Sequence, residues 1–375
     1  MQDTVRKNKI LFFIKTPPPV TGATLMNQRV HDSQLLRDNF SIRSICISYA
    51  GSVENLGRIG LKKAFTIIRV FMRVFNELLF HRPHLVYFQI SPLGVAFIRD
   101  LLFVSVIRMF RVKIVFHLHG KGIDIEAQKK WKKALYKYAF KGQSIICLSH
   151  LLTYDIQKVY NGKAYIVNNG IPDVSEKFKV ITASKVNPTP KVLFLSNLII
   201  SKGIIDFLDA LEILNKKGIP FHGLIVGAEA NLSKQQLLSE IVSRNISEVV
   251  TYLGSIYGEE KSNIILNSHV LVHPTKEDCF PGVLLESMQS GIPIIATVEG
   301  AISDIVDDGV TGFLVDKSSP AAIAEKIQIL IDNPALRKRM GIAGRKKYEE
   351  KYTLAHFESN LNNVFFEVLN SELKV

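Results

Sequence analysis

The stretch Asp278-Cys-Phe-Pro-Gly-Val-Leu-Leu-Glu286, continued by Ser-Met-Gln-Ser-Gly-Ile-Pro-Ile-Ile-Ala-Thr297, decides how the chain is read. An apolar run, Val270–His273, comes just before it and reads as a strand. An acidic loop follows, then a short helix from about Gly282 that stops at Gly291, then another buried strand. Asp278 lies before the helix start and Glu286 inside it, eight residues on. Backbone amides between Phe280 and Val283 would point out of the helix N-terminus and form an anion site. Carboxylates that accept from hydroxyls, beside amides that take phosphate, suit a polyhydroxylated anionic ligand. The plain alternative is a helix capped by Asp278 with Glu286 on the surface.

Strand, loop, helix and strand again is the repeating unit of a parallel α/β sheet, and it recurs on both sides of this stretch. In the first half the strand candidates are Ile10–Ile14, Ser44–Ile47, Leu85–Phe88, Lys113–Leu118, Ser144–Leu148 and Ala164–Val167. In the second they are Lys191–Leu195, His222–Val226, Val249–Tyr252, Val270–His273, Ile292–Ala296 and Gly312–Val315. Two rounds of uneven spacing predict two Rossmann-like α/β domains facing a cleft rather than one barrel. The domains are placed at 1–180 and 190–350, with the polar, Pro-containing seam Ser175–Pro190 between them. Residues 351–375 read as a C-terminal helix, a return to the first domain being one option.

The 375 residues are 47% hydrophobic and 22% charged, which is globular and sized for two cores. Cys46, Cys147 and Cys279 lie far apart, without zinc or disulfide-framework spacing, and suit a reducing compartment. Ala64–Phe80 and Leu93–Phe110 are the most apolar segments, but Arg69, Arg73, Arg99, Asp100 and Arg108 interrupt them, so neither should span a membrane. The formal charge of +13 is uneven: residues 1–185 carry 29 Lys+Arg against 11 Asp+Glu, the remainder 18 against 23. A basic first half implies an anionic partner.

The segment around Asp278 resembles the acidic motif of family 4 glycosyltransferases of the group 1 type, which have the GT-B fold. Phe280, Pro281, Val283, Leu284, Leu285, Glu286, Met288, Gly291 and Pro293 fit its usual context, E-x-F-P-x-V-L-L-E-A-M and beyond. The resemblance implies that Glu286 holds the donor ribose and that Asp278, a shorter acid than the usual Glu, contacts the transferred sugar. Gly282 belongs to the same donor-binding helix start. Phe194-Leu-Ser-Asn-Leu-Ile-Ile-Ser-Lys-Gly203 is similar to the family's donor loop, G-R-L-x-x-x-K-G. Lys202 matches its Lys and is expected on the diphosphate, while Asn197 stands at the Arg position and can donate without offsetting charge. Glu299–Val315 resembles the stretch that closes the donor pocket, with Gly309 and Gly312 read as turn residues.

In the first half, Thr16-Pro-Pro-Pro-Val-Thr-Gly-Ala-Thr24 follows the first strand, and Gly22 is either a phosphate-approach glycine or part of a tight turn. His117 and His119 end the fourth strand on one side of it, and His119-Gly120 is similar to the family's H-G near the reacting sugar. No further ligands sit at zinc spacing around them. The basic, aromatic stretches Phe65–Phe80 and Lys129–Lys141 suit either an anionic membrane interface or a solvated helix face.

The resemblance implies a retaining, metal-independent hexosyltransferase with catalytic His119 and Asp278, a UDP- or GDP-linked sugar as substrate and no cofactor. The acceptor is expected to be a glycan or a polyprenyl-diphosphate-linked carrier, at the inner face of the cell membrane. An epimerase of the same fold is the enzymatic alternative, and a non-catalytic nucleic-acid- or membrane-binding protein the other. No recognition helix, zinc finger or RNP-like signature supports nucleic acid.

Overall fold

The structure, a computed structural model, describes residues 7–18, 20–47, 61–174 and 189–371. The chain divides into two compact units, 1–169 with 355–375, and 170–354. The division therefore falls after Asn169 rather than at 180–190. The predicted seam lies outside the described residues up to 188, as do Pro19 and the side chains of Lys62 and Lys63.

The first unit is built on β1 (Lys9–Lys15), β2 (Ser41–Ile47), β3 (Leu85–Phe88), β4 (Lys113–Leu118), β5 (Ser144–Cys147) and β6 (Ala164–Ile166). All pair in parallel, in the order β2-β1-β3-β4-β5-β6. Helices cover both faces, which is why β1, β3 and β4 are near-continuous apolar runs. Because crossovers are right-handed and run the same way along the sheet, the helices Leu61–Asn76, Gly94–Met109 and Lys130–Phe140 lie on one face. Val74, Leu78, Phe97, Phe103, Ile107, Tyr136 and Phe140 bury there against Leu11, Phe13, Val86, Phe88, Ile114 and Phe116. The helix Leu354–Asn370 covers the opposite face, where Phe365 packs on Phe12 and Tyr87 at ring distances of 6.1 and 5.5 Å.

The second unit repeats the scheme with β7 (Lys191–Leu195), β8 (His222–Val226), β9 (Val250–Gly254), β10 (Val270–His273), β11 (Ile294–Thr297) and β12 (Gly312–Val315). Its parallel order is β12-β11-β10-β7-β8-β9. Each sheet reverses direction once, between β1 and β3 in the first and between β7 and β10 in the second. At such a switch point the loops diverge and leave a crevice beyond the strands' carboxyl ends. Gly312 is not in a turn as read from the sequence. It opens β12, and a Cβ there would lie 2.1 Å from the Ile294 carbonyl oxygen, so the glycine serves the approach of β11. Among the described residues no helix is long and apolar enough to cross a membrane.

Candidate active site

The second switch point brings together Lys202 from the loop after β7 and Asp278 from the loop after β10. Lys202 ends a short helical turn, Ile200–Lys202, and Gly203 follows in the left-handed region at φ 81°. A Cβ at Gly203 would sit 2.0 Å from the Pro274 carbonyl oxygen, so only glycine lets the two loops touch. The Lys276 amide donates to Ser201 O at 2.7 Å and ties them. Held so, Lys202 Nζ lies 2.7 Å from Asp278 Oδ2 and donates to Glu277 O at 2.9 Å. His273 Nε2, at the end of β10, is 3.2 Å from the same carboxylate oxygen. The Asp278 backbone amide donates to Glu299 Oε1 at 3.3 Å, and Glu299 is in turn paired with Lys317. Burial pushes the Asp278 carboxyl up, but the hydrogen bonds and charges of His273 and Lys202 outweigh it and hold it far below the usual carboxylate range. Asp278 is an anion at working pH.

Asp278 does not cap the following helix: its Oδ1 accepts from the Cys279 amide at 2.9 Å. The helix Gly282–Gln289 starts from Pro281 with no side-chain cap, leaving the Gly282 and Val283 end open to a ligand. Phe280 anchors the turn, buried against Tyr352 at 6.1 Å. A Cβ at Gly282 would meet nothing within 4 Å, so nothing inside the chain demands glycine there. Glu286, one turn along, pairs with Lys261 at 2.7 Å. Asn197 is exposed beside the Lys202 loop, its Oδ1 accepting from the Ala228 amide at 3.3 Å. A cavity of about 300 Å³ opens nearby, lined by Glu229, Lys234, Tyr252, Leu253, Gly254 and Ser255.

Gly22 and His119 lie in the first unit. Gly22 opens the helix Gly22–Asp32, capped by Thr21, and a Cβ there too would meet nothing within 4 Å. His117 and His119 do share a side, with ring centres 4.1 Å apart. His117 is fully buried with Nδ1 2.6 Å from the Tyr87 hydroxyl, a core histidine. Burial, helped by the charge of Lys15, lowers His119 to about 4, so its imidazole is neutral at ordinary pH. Its Nε2 is buried with no hydrogen-bond partner among the described residues.

Reading by motif left out His273, Lys261, Glu299 and Lys317. His273 was visible as a strand-end histidine five residues before the acid. Glu299 sat in a segment read as structural, and only tertiary contact shows it bearing on Asp278.

Two open parallel sheets, one carrying a lysine–carboxylate pair and an uncapped helix start at its switch point, are a doubly wound α/β architecture with a place for an anionic ligand at the second sheet. The family model for Glycosyl transferases group 1 matches residues 176–347, most of the second unit, and the chain has the GT-B fold of such glycosyltransferases. An uncharacterised glycosyltransferase of Methanocaldococcus jannaschii is 27% identical over 255 residues, 68% of each chain. A capsular polysaccharide biosynthesis glycosyltransferase of Staphylococcus aureus is 29% identical over 170 residues, 43% of this chain and 41% of that one. The structure of HepE from Anabaena in complex with UDP superimposes with a TM-score of 0.72 at 17% identity, over 96% of this chain and 100% of that one.

Proposed function

We propose that the chain is a retaining hexosyltransferase that moves a sugar from a UDP- or GDP-sugar to a glycan or polyprenyl-diphosphate-linked acceptor in cell-surface polysaccharide synthesis. The observation that carries this is the Lys202–Asp278 pair, 2.7 Å apart beside the open start of the helix Gly282–Gln289. Lys202 and the amides at Gly282 and Val283 receive the diphosphate, with Asn197 donating to a phosphate oxygen. Asp278, freed as Lys202 turns to phosphate, accepts from hydroxyls of the transferred sugar. Glu286 takes the ribose hydroxyls, and the cavity at Tyr252–Ser255 takes the base. HepE, with the same fold, has been solved with UDP and with UDP-glucose, which supports a uridine donor.

In the reaction the bond from the anomeric carbon to the diphosphate oxygen breaks, the electron pair leaving with phosphate. The acceptor hydroxyl attacks from the same face and its proton passes to the departing diphosphate. Lys202 and the helix amides stabilise that leaving group without a divalent cation in this reading. Neutral His119 orients the sugar by hydrogen bonding, and Gly22 gives the first unit room for a substrate phosphate.

The basic first half has a surface that supports work at an anionic membrane face. On the three-helix face Phe65, Ile68, Met72, Phe80, Leu102 and Trp131 are exposed among the exposed cations Arg69, Arg73, Lys130 and Lys137. Between residues 65 and 141 no carboxylate residue is exposed: Asp100 is buried and Glu77, Asp124 and Glu126 are partly so. Rings at headgroup depth and cations on lipid phosphates follow from that distribution.

The test is a thermal-shift and mass-spectrometric panel of nucleotide-sugars, with and without EDTA, followed by NMR of the product's anomeric proton. One donor should stabilise the protein and be turned over in EDTA with retention. An inverted product, or turnover that EDTA abolishes and magnesium restores, sinks the mechanism. Conversion of a free nucleotide-sugar without acceptor would instead favour the epimerase.

A further inference from the structure

The helix Gly282–Gln289 keeps one side open. Leu284, Leu285, Ser287 and Met288 are buried, while Gly282 is exposed and Val283 and Glu286 are half-buried. Gly282 and Glu286 are four residues apart and so share a face, which puts Glu286 about one turn, ~5.4 Å, beyond the uncapped helix start. An anion seated on the amides of Gly282 and Val283 would meet that negative charge one turn away, and the repulsion opposes its binding.

The helix Gly258–Leu266, which joins β9 to β10, answers the charge. It buries Ile265 and Leu266. Lys261 stands four residues before Ile265, on the same face. Its ammonium donates to Glu286 Oε1 at 2.7 Å, the length of a charge-assisted bond. The two side chains are 27% and 26% exposed, so the pair is screened less than one on open surface. Among the described residues Lys261 is the one partner of the Glu286 side chain, and it engages a single oxygen. One carboxylate oxygen is thus held and the other is left to a ligand, beside a helix start open to an anion.

We propose that Lys261 is a positioning residue that makes Glu286 select ribonucleotide donors. This rests on the reading in which Glu286 takes the ribose hydroxyls of a nucleoside-diphosphate sugar. The lysine acts in two ways. Its grip on Oε1 fixes the carboxylate in one rotamer and leaves Oε2 for the hydroxyls. Its charge cancels the one that would repel the diphosphate a turn below. The two effects separate by ligand: charge acts on every nucleoside diphosphate, whereas the fixed rotamer acts only on those that carry the hydroxyls.

The test is calorimetry of the full chain with UDP and GDP and with their 2′,3′-dideoxy forms. On the unaltered protein the nucleotide that binds should lose about tenfold in affinity without its hydroxyls. Lys261→Met should weaken both forms and cut that preference at least about threefold. Lys261→Arg, which keeps the charge and the donor, should restore it. In Glu286→Ala the preference should be gone, and adding Lys261→Met should not change it further, as expected of two residues that act through one contact. A preference unchanged in Lys261→Met, with both forms weakened alike, is what a purely structural or purely electrostatic lysine gives, and it overturns the proposal. A ribose preference lost in Glu286→Ala but intact in Lys261→Met keeps the donor reading and strikes Lys261 alone. A preference that survives Glu286→Ala removes the ribose from Glu286 and overturns the proposal while nucleotide binding stands. Binding of neither UDP nor GDP ends the donor reading and the proposal together.

Discussion

In the proposed reaction Lys202 has two tasks that exclude each other in time: it pairs with Asp278 at 2.7 Å as the structure stands, and it would neutralise the diphosphate once a donor binds. Lys202→Met therefore removes both the leaving-group charge and the counter-ion of a mostly buried carboxylate. Turnover should fall on the order of 10²–10³-fold, the usual effect of deleting one such donor, and donor affinity should fall with it. Asp278→Asn keeps the shape and releases Lys202, so its signature should be lost kcat with nucleoside diphosphate affinity unchanged or higher. Gly282 separates ligand from scaffold in the same way. Since an added Cβ meets only open space, Gly282→Ala should leave stability within about 0.5 kcal/mol while weakening donor binding, read by thermal shift with and without UDP. A variant that loses stability but binds normally would show the glycine to be structural.

Elements are placed here by close backbone contact as much as by apolar burial. The helix Pro334–Lys351 presses Gly341 on Gly291, where the acidic-motif helix has just ended, and a Cβ at Gly341 would lie 2.0 Å from the Gly291 carbonyl oxygen. Gly341→Ala should therefore cost about 1–3 kcal/mol by overpacking, seen as a lowered melting temperature of the second unit. The helix Leu61–Asn76 makes the opposite case, an amphipathic element whose outward side is not all polar. Phe65→Glu with Phe80→Glu, both about 70% exposed, should leave folding intact and abolish sedimentation with phosphatidylglycerol vesicles, binding that raised salt also weakens. Equal binding to neutral vesicles would remove the membrane reading.

At the scale of the molecule, acid should unsettle the two units in order. His119 in the folded chain resists protonation until about 4 against an ordinary 6.5. The unfolded chain therefore binds more protons below 6.5, and the first unit loses stability as pH falls from 6.5 to 4. Asp278 is depressed instead, so its contribution is present above the ordinary 3.8 and is lost only as pH falls below it. Trp131, the single tryptophan, sits in the first unit, and its fluorescence in urea melts should show the earlier loss, with a flatter slope in His119→Gln. Ending the chain at Leu354 should also strike the first unit alone. Phe357, Leu361 and Phe365 are 0–1% exposed, and losing them at about 2–5 kcal/mol each exceeds what a unit can spare.

Hydrophobic period and length determined the twelve strands by themselves, because parallel strands buried on both faces leave continuous apolar runs that helices do not imitate at that length. The placement of Lys202 and Asp278 was equally legible, because each sits in a loop that starts where a strand stops; their expected roles came from the family resemblance. The return of residues 355–375 to the first unit was open in the sequence, since an amphipathic helix does not say which apolar face it will cover. Pairing decided the rest. That Glu299 reaches the Asp278 amide, that Gly312 serves a strand rather than a turn, and that Lys15 meets Asp100 across 85 residues all depend on strand order. The switch point between β1 and β3 is a property of the sheet, and no stretch of sequence contains it.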